Sequence, residues 1–267
     1  MERDYKMNGW DIKEFFDEII FEFYNLFNYL KSMKYKKYIS KINYKSEFKK
    51  EANLILNGPS SKEIELNTET TNFFVNYGYR HPQFINIENP ILVIIDTKML
   101  KGEWHFDMIE EAKNINPSVE FVFNYKYLKS TKFRSLVKNV NCIGYINNSK
   151  IPTRFNWKKK LQIGGFNFGV GVAEQSLSLI ATLKFKKINI YGFDGNNVIL
   201  ALMSKDTHFY GADDSKKWSD SRFTSRELRF LSYFIDRNFW LSKCLKHNNI
   251  KIINHTQSIV TSMYNDG

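Results

Sequence analysis

The chain has 267 residues and a mass of 31.7 kDa, enough for one large α/β domain with or without an appendage. Its 43% hydrophobic content can fill a core, which excludes wholesale disorder. Lys and Arg number 39 against 28 Asp and Glu, a formal charge of +11 that attracts an anion: nucleic acid, an acidic membrane leaflet or a phosphorylated substrate. Scattered lysines on a solvated surface explain the same excess.

The cysteines and the N-terminus limit the protein's class. Cys142 and Cys244 lie far apart and fit no metal-ligand spacing, so neither a disulfide framework nor a structural zinc site organises the fold. The charged N-terminus lacks the apolar core of a signal peptide, and no run of about 20 apolar residues predicts a transmembrane helix. We therefore expect the protein in the cytoplasm or at the inner face of a membrane. We expect no nucleic acid as a partner.

Residues 1–50 predict a helical, basic and aromatic extension. Apolar side chains recur at three- and four-residue steps, as in an amphipathic helix: Phe15, Phe16, Ile19, Ile20, Phe23, Leu26, Phe27 and Leu30. The lysines that follow are Lys31, Lys34, Lys36, Lys37, Lys41, Lys45, Lys49 and Lys50. Such a segment can lie on an anionic membrane, pack on its own domain or pair with another subunit of a homo-oligomer, and the sequence leaves these open.

Residues 51–267 predict a single nucleotide-sugar-binding α/β domain. Short apolar runs predict strands at 53–56, 73–76, 91–96, 119–124, 142–146, 188–192 and 250–253. Helical patterns cover 106–115, 172–183 and 225–247. This alternation predicts a mostly parallel, Rossmann-like sheet with helices on both faces.

Polar residues at the predicted strand ends are the first candidates for a site, because ligands of such sheets bind beyond the carboxyl ends of the strands. They are residues 57–61 (Asn57, Gly58, Pro59, Ser60 and Ser61), Asn76, Asp96 and Asp194. In the first turn, Gly58 lets the backbone approach a ligand and Pro59 stiffens the chain. Free N–H groups with the Ser60 and Ser61 hydroxyls can hold a phosphate. The turn matches neither a P-loop nor the dinucleotide fingerprint, and an ordinary strand-to-helix turn explains it equally well.

Two further features could carry chemistry. A glycine-rich segment from Gly164 to Gly171 precedes a predicted helix and is a second candidate anion cradle, or a close helix–strand contact. His208 lies in the polar stretch 195–220, between the strand predicted at 188–192 and the helix predicted at 225–247. Histidine titrates near neutral pH and suits a general base, although a lone histidine is more often structural.

Four segments, in this order, resemble the bacterial sialyltransferases of glycosyltransferase family 42 and, more broadly, sugar transferases of the motility-associated-factor kind. They are Ile-Leu-Asn-Gly-Pro-Ser at 55–60, Val75-Asn76, residues 171–194, and Thr-His-Phe-Tyr-Gly at 207–211. The resemblance spans about residues 53–255. It implies a GT-A-like variant of the Rossmann-like fold and an inverting transferase that needs no metal and no cofactor.

The resemblance also implies a role for each residue. Asn57, Gly58 and Ser60 would bind the phosphate and ribose of a CMP-activated donor, and Asn76 would contact the nucleotide sugar. Gly171 would lie by the donor, while Gly192 and Asp194 would line the cytidine pocket. His208 would take the proton of an acceptor hydroxyl on a bacterial surface glycan, in lipopolysaccharide or capsule synthesis. Asp96 stands where the family has an asparagine.

Several alternatives stay open. The donor sugar can be sialic acid, a related nonulosonate or another sugar. Since Gly195-Asn196-Asn197 replaces the tyrosines that assist the leaving phosphate in the family, Tyr210 or Tyr191 is the substitute. A pyrophosphokinase-like or other nucleotide-dependent transferase would use Mg²⁺ at Asp96, Asp194 or Asp213. A non-catalytic module would bind a membrane or polyanion through the first 50 residues.

Overall fold

The computed structural model describes residues 51–67, 69–146, 157–158, 171–183, 185–194, 206, 208–210, 221–258 and 260–265. Of the first 50 residues it describes Phe16, Ile19, Ile20, Phe23, Phe27, Leu30, Met33, Lys34, Tyr35 and Tyr38. Most of the predicted glycine-rich segment before Gly171, and Asp213, lie outside the described residues.

Within this part of the chain, seven strands form one sheet. They are β1 (Glu51–Ile55), β2 (Thr71–Val75), β3 (Ile91–Ile94), β4 (Glu120–Asn124), β5 (Asn141–Ile146), β6 (Lys187–Tyr191) and β7 (Lys251–Asn254). Their order is β5-β4-β3-β2-β1-β6-β7. Each neighbouring pair runs parallel, so the sheet predicted as mostly parallel is parallel throughout.

The strands are apolar on both sides because both faces of the sheet are covered. Successive residues alternate between two cores: Leu54 and Phe73 face one, while Ile55 and Phe74 face the other. All four side chains are fully buried. Continuous apolar runs, rather than alternation with polar residues, are therefore what identified these strands in the sequence.

Helices cover both faces, as predicted. They are α1 (Asp107–Ile115), α2 (Thr131–Leu136), α3 (Val172–Thr182), α4 (Ser221–His247) and α5 (Thr261–Tyr264). Leu177 of α3, Phe234 of α4 and Tyr264 of α5 enter the first core. Met108 of α1 and Phe133 of α2 enter the second. The α/β class with a parallel, two-sided sheet is confirmed.

Some boundaries differ from the prediction. Helix α2 was not predicted; it is short and begins at Ser130, whose hydroxyl accepts a hydrogen bond from the Phe133 N–H. Strand β3 ends at Ile94, because Asp96 begins a short 3₁₀ turn at 97–101 instead of extending the ladder. Helix α4 starts at Ser221 rather than at 225.

At one point in the sheet, the connections that follow two neighbouring strands run in opposite directions. From β1 the chain moves outward in one direction to β5, then returns to β6 on the other side of β1 and continues to β7. Such a reversal opens a crevice outside the carboxyl ends of the two central strands. In this chain those strands are β1 and β6, which lead into the Asn57–Ser61 turn and into Gly192 and Asp194.

Candidate functional site

The backbones that follow β1 and β6 stay in contact beyond the sheet. The Leu56 N–H donates to the Tyr191 carbonyl at 2.9 Å, and the Gly58 N–H donates to the Gly192 carbonyl at 3.1 Å. The first turn and the second loop therefore form one floor, here called the crevice floor and comprising residues 57–61 and 192–194.

Glycine is required twice in the crevice floor. A Cβ on Gly58 would lie 1.7 Å from Asp194 Oδ2 and 2.4 Å from the Gly192 carbonyl oxygen. Gly58 has an ordinary φ of −63°, so only space demands glycine there. Gly192 has a φ of +71°, and its Cβ would lie 2.5 Å from the Leu56 oxygen, so both backbone conformation and space demand it.

Asp194 is buried against the first turn. Its carboxylate accepts a hydrogen bond from the Ser60 N–H at 3.4 Å. Burial raises the pKa of this carboxyl, and the hydrogen bonds from Ser60 oppose that rise. The Thr256 hydroxyl after β7 accepts from the Phe193 N–H at 3.1 Å and lies 3.4 Å from the Ser60 hydroxyl. Thr256 thus ties three strand ends together, a role that nothing in the local sequence indicated.

The segment with the candidate base lies directly on this floor. The Phe209 N–H donates to the Asn57 carbonyl at 2.9 Å. The rings of His208 and Tyr210 stack at 5.0 Å with an angle of 18° between their planes. His208 is half-buried. The structure thus brings together His208, Tyr210 and the Asn57 turn, which are about 150 residues apart in sequence.

His81 contacts both the Asn57–Ser61 turn and the segment that carries His208. Its Nδ1 accepts from the Gln83 N–H at 3.2 Å, so Nε2 carries the proton and donates to the Ser61 carbonyl at 2.8 Å. Burial lowers the pKa of His81 and favours this neutral form. Its ring also packs edge-on against Phe209 at 5.6 Å. His81 thus positions both the turn and the His208 segment, a function that the sequence did not reveal.

Asn76 and Asp96 form a second polar pair at the strand ends. Asn76 follows β2 in a left-handed conformation with a φ of 47°, which asparagine tolerates better than most residues. Its Nδ2 donates to Asp96 Oδ2 at 2.9 Å. Burial raises the pKa of Asp96, and Lys98 and Asn76 oppose the rise. The two predicted donor-binding residues therefore contact each other.

Two buried amide oxygens near the crevice floor have no hydrogen-bond partner among the described residues. They are Asn57 Oδ1 and Asn76 Oδ1. A buried acceptor without a donor costs about 1–3 kcal/mol. A ligand with N–H or O–H groups, such as a nucleoside or a sugar, could supply the missing donors.

An aromatic wall flanks His208. We define it as Tyr77, Trp104 and Tyr210: Tyr77 meets Trp104 at 4.9 Å and Tyr210 at 5.8 Å. The Arg80 guanidinium lies 4.6 Å from the Tyr77 ring centre and 5.9 Å from that of Tyr210, within cation–π range. Three separate segments contribute to this wall, so sequence reasoning missed both it and the exposed cation beside it.

Two further candidate residues, Gly171 and Tyr191, make contacts other than those of the crevice floor. Gly171 precedes α3, and its N–H donates to Glu174 Oε2 at 2.9 Å. Glu174 in turn accepts from Asn238 of α4 at 2.8 Å. These contacts do not reach the crevice floor. Tyr191 stacks on His255 at 4.6 Å, so Tyr210 is the better-placed tyrosine.

Neither a metal-ligand cluster nor a membrane-spanning helix is found among the described residues. No three His, Cys, Asp or Glu side chains gather there as a metal site would require. No helix there is both long and apolar enough to cross a bilayer.

No protein-family model matches the chain, and no curated protein is significantly similar to it in sequence. Solved structures of sialyltransferases resemble it distantly. CstII from Campylobacter jejuni, in complex with a substrate analogue, cytidine-5'-monophosphate, is 12% identical, with a TM-score of 0.44 over 82% of this chain and 85% of that one. The monofunctional α-2,3-sialyltransferase Cst-I from the same organism is 13% identical, with a TM-score of 0.46 over 84% of each. At these values the likeness carries no weight for function by itself.

Proposed function

We propose that this chain is an inverting glycosyltransferase that transfers a CMP-activated acidic sugar, sialic acid or a relative, to a hydroxyl of a surface glycan. In this proposal it needs no metal, and His208 is the general base. Asn57, Gly58, Pro59, Ser60, Asn76, Asp96, Gly192 and Asp194 hold the donor. Gly171, just before α3, stays a predicted contact of the donor.

One observation carries the proposal: the hydrogen bond from the Phe209 N–H to the Asn57 carbonyl, at 2.9 Å. It sets His208 beside the turn predicted to hold the phosphate, where the exposed Ser60 side chain can reach a ligand. The Gly58 and Ser60 N–H groups of this turn already donate to Gly192 and Asp194. A candidate base and a candidate phosphate site thus meet at the reversal of the strand order, where α/β sheets bind ligands. Geometry of this kind must precede any assignment of an acid or base.

The reaction balances with these groups alone. The acceptor oxygen attacks the anomeric carbon as His208 takes its proton, and the bond from that carbon to the phosphate oxygen breaks. CMP leaves with the bonding electrons, and Tyr210, stacked on His208, can donate a hydrogen bond to the departing phosphate. Hydrogen bonds of this kind stabilise charge that develops in the transition state.

The charges around the crevice suit an anionic donor. Arg80 lies at the aromatic wall, and Lys98 lies 4.9 Å from the Trp104 ring. A CMP-activated acidic sugar carries both a phosphate and a carboxylate. The Asn57 and Asn76 side-chain oxygens, which have no donor among the described residues, suit the hydroxyl or amino hydrogens of the same donor sugar nucleotide.

The test has a binding arm and a turnover arm. Thermal shift with CMP, CDP, UMP, UDP and GDP, each with and without Mg²⁺, should show the largest rise in melting temperature with CMP, independent of Mg²⁺. His208→Ala should keep the CMP shift and lose about 10²–10⁴-fold in turnover of CMP-sialic acid.

His247→Ala is the matched control, because His247 is exposed at the far end of α4 and should leave turnover unchanged. A strict Mg²⁺ requirement would instead support a pyrophosphokinase-like enzyme. Full turnover in His208→Ala would remove the histidine from the mechanism.

A further inference from the structure

A stripe of apolar side chains near the N-terminus is exposed in helical conformation. We call it the apolar stripe: Phe16 (58% exposed), Ile19 (36%), Ile20 (66%), Phe23 (69%), Phe27 (54%) and Leu30 (55%). Steps of three and four residues place all six on one side of a helix. So many large apolar side chains gathered on one exposed face mark an interaction surface.

The chain just beyond the stripe is attached to the α/β domain. The Tyr35 ring meets Tyr125 at 5.5 Å, and the Tyr38 ring meets Tyr145 edge-on at 6.1 Å. Tyr125 follows β4, and Tyr145 lies near the end of β5. Both contacts are at the carboxyl edge of the sheet, the edge that also bears the crevice floor.

Strong positive charge adjoins the stripe. Residues 31–50 contain eight lysines and one acidic residue, Glu47. One of these lysines, Lys34, lies 5.0 Å from the Tyr35 ring. The acidic residues Asp17, Glu18 and Glu22 fall outside the spacing of the stripe. Apolar and aromatic side chains followed by clustered lysines match a surface with a hydrocarbon interior and anionic headgroups.

A second copy of the chain is a poorer match. Phe16, Ile20, Phe23, Phe27 and Leu30 do follow the four-three spacing of a coiled-coil seam. However, the next seam position is Lys34, so the pattern covers only about two heptads, and coiled coils are recognised by at least three or four. The lysines would also repel their counterparts in a parallel pair.

We propose that the apolar stripe and the lysines after it bind a membrane that contains anionic lipid. The stripe inserts at the level of the acyl boundary, and the lysines contact the headgroups. Because Tyr35 and Tyr38 attach this segment to the carboxyl edge of the sheet, docking brings the crevice near the lipid surface. The inference does not depend on the proposed transferase activity.

The test uses the full-length chain and sedimentation with vesicles. Vesicles of phosphatidylcholine with 30% phosphatidylglycerol, against pure phosphatidylcholine, are the probe. We expect binding to the anionic vesicles only. Ile20→Glu/Phe23→Glu should weaken partitioning at least roughly tenfold, since charge is disfavoured in the hydrocarbon region. Ile85→Glu, at an exposed apolar residue of the domain (60%), is the matched control and should bind as the parent does.

A second pair of variants tests the charge. Lys36→Gln/Lys37→Gln should weaken binding roughly tenfold or more at low salt, because each lysine near an anionic surface contributes about 1 kcal/mol. Lys186→Gln/Lys251→Gln removes the same charge at the opposite edge of the sheet and should change binding little. Each variant's melting curve shows that it is folded.

Three results would overturn the proposal. The first is equal binding by the stripe variant and its Ile85→Glu control. The second is binding to pure phosphatidylcholine that is as strong as binding to anionic vesicles. The third is light scattering that shows a dimer of the parent, a monomer of the stripe variant and no vesicle binding by either, which would assign the stripe to a second copy.

Discussion

The crevice floor and the aromatic wall lie on either side of His208 and are built in opposite ways. The floor has no room for added atoms: Gly58, Gly192 and Asp194 are buried, and strand-end backbones touch directly. The wall consists of large rings that are only half-buried, with the exposed Arg80 beside them. In the proposed reaction, the floor fixes the position of the donor, whereas the side chains of the wall select the group attached to it.

The two regions differ in the interaction that a substitution would change: packing in the floor, and charge and aromatic contacts in the wall. In the floor, the fit between neighbouring atoms has the largest effect, because protein interiors are close-packed and leave no space for an added methyl group. In the wall, charge and aromatic surface decide, and substitutions there change affinity more than folding. Substitutions that add atoms to the floor should therefore lower the stability of the fold, whereas substitutions in the wall should lower the affinity for the ligand.

The largest effect should follow substitution of the two floor glycines. Gly58→Ala should cost about 3 kcal/mol or more, because its Cβ would overlap the Asp194 carboxylate and the Gly192 carbonyl. Gly192→Ala should cost still more, since about 1–2 kcal/mol of backbone strain adds to a comparable overlap. Urea unfolding of each variant, monitored by circular dichroism, gives the free energies.

Gly102→Ala is the control for these two variants. Gly102 also has a positive φ, +74°, but a Cβ there would meet no atom within 4 Å. Gly102→Ala should therefore be destabilised only by backbone strain, by about 1 kcal/mol. Equal losses at Gly102 and Gly58 would mean that the floor is not closely packed, and the contrast with the wall would disappear.

A smaller effect, on affinity alone, is expected at the wall. Arg80→Met should weaken binding of CMP-sialic acid roughly tenfold, because a charge-assisted hydrogen bond contributes about 1.5–3 kcal/mol. The affinity for CMP and the free energy of unfolding should change little. Calorimetric titration with both ligands separates the two effects.

Arg134→Met provides the comparison for Arg80. Arg134 is an exposed arginine on α2 whose guanidinium contacts the Thr131 hydroxyl at 3.2 Å. Its loss removes the same charge without touching the wall. If both variants bound the donor equally well, the wall would have no part in selecting the acidic sugar.

The smallest effect should come from the buried carboxyl of the floor. Burial raises the pKa of Asp194 above its ordinary value, so the folded chain binds this proton more tightly than the unfolded chain does. The associated stabilisation is present below the ordinary pKa and is lost as the pH rises through the raised one. Asp194→Asn should therefore raise the melting temperature at pH 7 relative to the parent.

This advantage should shrink as the pH falls through the raised pKa, because the parent's carboxyl becomes protonated too. Differential scanning calorimetry of both proteins between pH 4 and 7 measures the difference directly. An advantage that grows toward low pH would mean that the Ser60 hydrogen bonds outweigh burial and that the shift has the opposite sign.

The sequence by itself determined the elements of the fold. Apolar runs such as 91–94 indicated strands buried on both sides, and the patterns in 107–115 and 172–182 indicated helices. It also marked Asn57–Ser60, Gly192 and Asp194, because glycine and polar residues directly after apolar runs are local signals. Helix α2 escaped because six residues give too little periodicity.

Only the tertiary structure decided which of these signals meet. The order of the strands placed the end of β6 beside that of β1, about 130 residues earlier in the chain, and the hydrogen bond from Phe209 to Asn57 brought His208 to the same floor. His81, Thr256 and Arg80 act through contacts with residues distant in sequence, so no local pattern could reveal them. Periodicity records how each segment partitions between water and core, whereas the site depends on which segments become neighbours.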